Sequence, residues 1–169
     1  MTGVTALDLG QLRTMHPLLS VTTAREYTYR AAIGLERNQH SPGVGLAVHL
    51  DGRRRDCSLH WPIVGGAGVA QLDVLRVTED AAEAIALTVV YVAYGWTVLR
   101  RMQRSESGDW MLIDADRKRV ALEVSGVDKV DTSQRRLKMK IEQVSQSRAE
   151  TKMACVVELG PPRCRTRTV

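Results

Sequence analysis

Two acids carry the spacing that could do chemistry. Asp109 opens the short apolar stretch Asp109–Ile113, and Glu123 lies inside Arg119–Ser125. If the second stretch is a strand, its side chains alternate. Ala121, Glu123 and Ser125 then point one way, and Val120, Leu122 and Val124 the other. Burying an unpaired carboxylate costs several kcal/mol, so Glu123 needs a partner, and a divalent cation is one. With the two stretches joined as a hairpin, Asp109 lies beside Glu123. Two carboxylates converging at one end of a sheet make a hard-oxygen site suited to Mg²⁺ or Mn²⁺. An ion held there can activate water and neutralise the charge developing on a scissile phosphate. The plainer alternative has Asp109 ending a turn and Glu123 paired with Arg101, Arg119 or a helix residue.

The flanking sequence supplies elements able to position this pair. Thr78, followed by Glu79 and Asp80, suits a helix start with acids at the positive end of the dipole. Ala82, Ile85, Ala86, Val89 and Ala93 form its apolar stripe, and Gly95 ends it. Trp96–Met102 reads as a strand, 103–108 as a polar turn, and Asp109–Ile113 and Arg119–Ser125 as two further strands. Thr132 or Ser133 starts a second helix running to about Ala149, with Leu137, Ile141 and Val144 on its inner face. Met153–Leu159 is a near-continuous apolar run, as expected of a strand buried on both faces, and Arg163–Val169 reads as a basic tail. The expected class is α/β: helix, three strands, helix, strand, with a mixed sheet flanked by helices.

That order, with Gly108-Asp109 opening one strand and Leu-Glu123-Val-Ser in the next, resembles the PD-(D/E)XK phosphodiesterase family, whose core is restriction-endonuclease-like. The resemblance covers roughly Asp73 to Leu159. It implies that Asp109 and Glu123 are metal ligands for Mg²⁺ or Mn²⁺ and that Glu83 or Glu79 fills an accessory acidic position. It further implies a nuclease acting on DNA or RNA, in bacterial defence or DNA processing. Two positions depart from the family pattern. Gly108 stands where proline is usual, and Ser125 stands where the family's lysine would position and polarise the attacking water. A serine hydroxyl carries no charge for that task. Lys140, beside the Leu137–Ile141–Val144 face, is the candidate substitute, ahead of Lys129 and Lys138.

The N-terminal part, residues 1–70, reads as a separate helix and β-hairpin unit, and residues 71–169 as the core with its basic tail. Thr22 or Thr23 caps a helix running to about Asn38. Val44, Leu46, Val48 and Leu50 alternate, and Asp51-Gly52 is a two-residue hairpin turn leading into a return strand with Cys57, Leu59 and Trp61 on one face. Gly65, Gly66 and Gly68 mark a joint between the two parts; they lack the lysine and strand-to-helix context of a phosphate loop. His40, His49, Cys57 and His60 invite a zinc reading. The hairpin register argues against it, because it sets His49 opposite Arg54 and His60 opposite Gly43 and turns Cys57 away from both histidines.

Composition sets the outer bounds. At 169 residues, 44% hydrophobic and 25% charged, the chain can bury an ordinary core. No stretch approaches the roughly 20 apolar residues of a membrane span, and the first residues lack the basic-then-apolar pattern of a signal peptide. Three widely spaced cysteines argue against a disulfide framework, which points to a soluble protein of the reducing cytoplasm. Net charge is +5, and from Lys129 onward ten Lys or Arg face four acids. Such asymmetry fits a nucleic-acid partner, with Arg53, Arg54 and Arg55 adding phosphate contacts at the hairpin tip. The rival expectation, favoured by Ser125, is the same fold without catalysis: a subunit that binds nucleic acid or assembles, its N-terminal unit docking a protein partner; a homodimer is a further expected assembly.

Overall fold

The computed structural model describes residues 4–64, 72–128 and 132–169. Its strands are β1 (Thr5–Asp8), β2 (Val44–Leu50), β3 (Arg53–His60), β4 (Thr97–Arg101), β5 (Trp110–Ile113), β6 (Arg119–Val127), β7 (Thr151–Glu158) and β8 (Arg163–Thr168). Its α-helices are α1 (Leu12–Met15), α2 (Val21–Arg37), α3 (Val74–Tyr94) and α4 (Ser133–Val144). All eight strands join one mixed sheet in the order β1-β3-β2-β8-β7-β6-β5-β4. The fold is α/β.

Turn chemistry explains the hairpin. Asp51 and Gly52 adopt φ of 49° and 86°, the positive pair that a two-residue turn between twisted strands requires. Leu50 therefore faces Arg53 and His49 faces Arg54. Gly95, at φ 70°, ends α3 with its N–H on the Tyr91 carbonyl.

The four strands expected of the core lie side by side, with β4, β5 and β6 antiparallel in turn and β6 parallel to β7. The two sheet faces carry different helices. Val120, Leu122, Val124, Cys155 and Val157 share a core with α3, whereas Ala121 and Ala154 pack against Val144, Leu137 and Ile141 of α4. Residues Met153–Glu158 of β7 are all buried, as the apolar run suggested.

Several boundaries differ from expectation, each for a local reason. α2 starts at Val21 rather than after Thr22 or Thr23, because the Ser20 hydroxyl accepts the Thr23 N–H at 3.0 Å. α3 starts at Val74, a full turn before Thr78, because Asp73 accepts the Leu75 N–H at 2.9 Å. α4 stops at Val144 rather than near Ala149. Thr5–Asp8, to which the sequence assigns no element, pairs parallel with β3.

The C-terminal segment is not a tail. β8 pairs antiparallel with β7 and parallel with β2, so it satisfies the edges of both strands and joins the hairpin to the core sheet. The expected joint at Gly65–Gly68 and the boundary at residue 70 lie outside the described residues.

One contact between α3 and β6 is unforgiving. A Cβ on Gly126 would overlap the Thr78 carbonyl, with the carbonyl carbon at 2.9 Å. Gly126→Ala should therefore destabilise by about 3 kcal/mol, since backbone cannot move aside like a side chain. In a chain of this size that is a fall of roughly 6–12 °C in Tm. A calorimetric melt within 2 °C of wild type would show that α3 shifts freely.

Candidate functional site

Register brings the two acids together. Trp110 pairs with Leu122, which sets Asp109, one residue earlier, beside Glu123. The Asp109 N–H donates to the Leu122 carbonyl at 2.9 Å, and the Val124 N–H donates to Asp109 Oδ2 at 2.8 Å. Asp109 is thus pinned across the strand pair by its own backbone and side chain.

Glu123 is almost wholly buried on the α4 face. Lys140 of α4 donates to Glu123 Oε1, while Oε2 is buried with no hydrogen-bond partner. Burial pushes the Glu123 carboxyl above the usual range, and the Asp109 charge adds to this; the Lys140 bond and charge pull the other way. One helical turn earlier, Arg136 donates to the Ser125 hydroxyl at 3.0 Å. Two cations from one edge of α4 therefore meet Glu123 and Ser125, neighbouring α4-facing positions of β6. Lys138 instead points to the other flank of α4, and Lys129 lies outside the described residues.

Glu83 occupies the opposite, α3 side of the sheet. It accepts from Trp110 Nε1 at 2.6 Å and Tyr27 Oη at 2.9 Å, and forms a two-toothed ion pair with Arg101. Burial pushes its carboxyl upward, against the pull of Arg101. Arg101 also stands 3.8 Å from Asp109 Oδ1 and lies over the Trp110 ring at 4.7 Å. Both Glu83 oxygens already accept hydrogen bonds, so Glu83 braces the site rather than lending it a free oxygen. Glu79 is exposed, lining the cleft between α2 and α3.

Among the described residues no three His, Cys, Asp or Glu side chains converge as a cation site. The zinc arrangement is thus absent from them, and Cys57 is buried on the apolar side of the hairpin. For Mg²⁺ or Mn²⁺ the test is different, because such ions commonly take one or two carboxylates and complete their shell with water and substrate phosphate. The partnerless Glu123 Oε2 beside Asp109 fits that donor set.

The residues around the acids were harder to foresee. Arg136 has a retrospective signal, since it precedes Lys140 by four residues and so shares its helix edge. Tyr27, Arg101 and Trp110 gather around Glu83 from three separate elements and left no pattern in the sequence. Arg101→Ala should cost about 2 kcal/mol, less than a fully buried pair because the guanidinium is half exposed. Adding Glu83→Gln should recover part of that loss, because the stranded charge is removed. Urea unfolding of the single and double variants measures both; full additivity would mean that the pair is not coupled.

Among the described residues no helix is long and apolar enough to cross a membrane. Comparison with known proteins adds no relative: no family model matches the chain, and no curated protein or solved structure matches it.

Proposed function

We propose that this chain is a metal-dependent phosphodiesterase of the PD-(D/E)XK type, with a restriction-endonuclease-like core, acting on DNA or RNA. The observation that carries the reading is Lys140 on Glu123: the lysine missing at Ser125 is delivered to the same carboxylate from α4. The order α3-β4-β5-β6-α4-β7, with Asp109 just before β5 and beside Glu123 of β6, supports it.

In this reading Asp109 and Glu123 would hold Mg²⁺ or Mn²⁺, which when bound would acidify water and offset charge on the scissile phosphate. Lys140 holds the Glu123 carboxylate and directs a proton-rich ammonium into the site. Asp109 is kept in place by the Val124 N–H. Glu83 fixes Arg101 between itself and Asp109, so it acts by positioning.

One observation favours the second reading, a nuclease-fold subunit without catalysis. Arg101 already sits on both Glu83 and Asp109, which can neutralise the acids without any ion. Cleavage assays with Mg²⁺ and Mn²⁺ on single- and double-stranded DNA and RNA separate the two. Cleavage abolished by EDTA supports the enzyme. Intact substrates under every condition, with binding retained, would leave the subunit.

A further inference from the structure

α4 packs on β6 and β7, and beyond it the same sheet face continues across β8, β2 and β3. On the hairpin, Leu46, Val48, Leu50, Cys57 and Leu59 are buried on the other face, while His49, Arg54, Asp56 and Ser58 remain partly or fully exposed. Cross-strand register sets Arg54, His49 and Arg165 side by side on β3, β2 and β8. The same row runs on through Val156 to Ser125, next to the proposed site.

This row is unusually cationic. Arg163 and Arg167 flank Arg165 on its own face of β8. The acid beneath them is Glu158, fully buried, at 3.4 Å from Arg163 and 3.6 Å from Arg165. Neither contact is a hydrogen bond: both Glu158 oxygens and the Arg165 Nε are buried without a partner. Asp56 is taken up by Arg54. Burial first, and then the charges of Arg165, Arg163 and Arg54, hold the His49 ring below its usual pKa, with Asp56 pulling the other way. Between this row and α4 lies a groove of about 310 Å³, rimmed by His49, Gln134, Lys138, Arg165 and Arg167 over the apolar Leu137 and Ile141.

We propose that this groove is a phosphate-binding site, distinct from the Asp109–Glu123 pair, that holds a backbone phosphate of a nucleic-acid strand. It rests on the nucleic-acid reading above for the polymer that carries the phosphate. Helical spacing puts Gln134 and Lys138 on one flank of α4 and Arg136 and Lys140 on the other, so a strand held in the groove lies across α4 from the reactive acids. Cations clustered on an open sheet face, with their one fully buried counter-acid imperfectly bonded, gain most from a multivalent anion.

The test uses the whole chain in EDTA, so that cleavage plays no part. Fluorescence anisotropy follows a fluorescein-labelled single-stranded DNA oligonucleotide binding to wild type, to Lys138→Glu/Arg167→Glu, and to Arg25→Glu, a charge reversal at an exposed position on α2. Both groove residues are exposed, so the charge reversal leaves the buried Glu158–Arg165 contact intact. The reversal should weaken binding at least tenfold and lower the slope of log K against log salt by about 1.4, the value for two lost phosphate contacts on a single strand. Arg25→Glu, which lies away from the groove, should bind like wild type.

A second arm titrates inorganic phosphate while NMR follows the His49 ring. If oligonucleotide affinity is unchanged but phosphate shifts His49 in wild type and not in the variant, the site stands and serves a free phosphorylated molecule. No effect in either arm overturns the proposal. Groove binding without any metal-dependent cleavage would sink the nuclease reading alone, and cleavage without groove binding would sink this inference alone.

Discussion

Lys140→Ala is expected to slow divalent-cation-dependent cleavage by about 10²–10³-fold, the loss typical of removing one preorganised charged donor from a reacting centre. Adding Ser125→Lys to that variant is expected to recover most of it. Glu123 and Ser125 lie two residues apart on one strand and therefore share the α4 face, and Arg136 of α4 already touches the Ser125 hydroxyl. A lysine at 125 would start from the strand itself and reach the space that the Lys140 ammonium now fills from the helix. Single-turnover cleavage rates at saturating Mg²⁺ measure the effect, with circular dichroism melts run alongside. If Lys140 serves only to neutralise a buried acid, Lys140→Ala will melt earlier while its folded fraction cleaves at the wild-type rate, and the catalytic role is lost.

On the proposed function, Glu123→Gln is expected to reduce cleavage by about 10³-fold or more, because it would remove a ligand to an ion contributing several kcal/mol of charge stabilisation. In EDTA the same variant should be at least as stable as wild type at pH 7. Glu123 is buried beside Asp109, and its carboxyl is held above the ordinary range, so in sum its surroundings disfavour the charged form. A neutral isostere escapes that penalty at the cost of weakening the bond to Lys140.

The pH dependence has a definite sign. Between the unfolded carboxylate value, about 4.3, and the higher folded value, the native state keeps a proton that the unfolded chain has released. Stability contributed by Glu123 is therefore fully present below the unfolded value and is lost as pH rises through the folded one. Glu123→Gln should lack this slope. Mn²⁺ at ten times its Kd should raise the wild-type Tm by roughly 3–6 °C, from about 1.4 kcal/mol of linkage, and leave the variant unmoved. A variant that unfolds more readily in EDTA, together with no ion-induced shift in wild type, would make Glu123 a structural partner of Lys140 and nothing more.

What could be read directly from the chain were features whose causes are local. The alternation of Val44–Leu50, the positive-φ pair Asp51-Gly52, the αL end at Gly95 and the doubly buried run of β7 each follow from a few neighbouring residues. So does the adjacency of Asp109 and Glu123, because a short turn between two apolar stretches leaves few antiparallel registers with the alternating faces aligned. Helix starts were less legible, since Ser20 and Asp73 compete with nearby threonines as caps and only the surrounding packing decides between them.

Tertiary structure decided the partners of the acids and the reach of the sheet. That Lys140 rather than Arg101 meets Glu123 depends on which face of β6 each element covers; Arg101 belongs to the α3 side and goes to Glu83. That Arg163–Thr168 is a strand, and that the hairpin continues the core sheet, depends on two open edges separated by more than a hundred residues finding the same partner. Local propensity has no term for such a pairing. A basic C-terminal sequence reads as solvated tail when taken alone, and becomes the sheet's middle only because β2 and β7 both leave backbone groups that must be bonded.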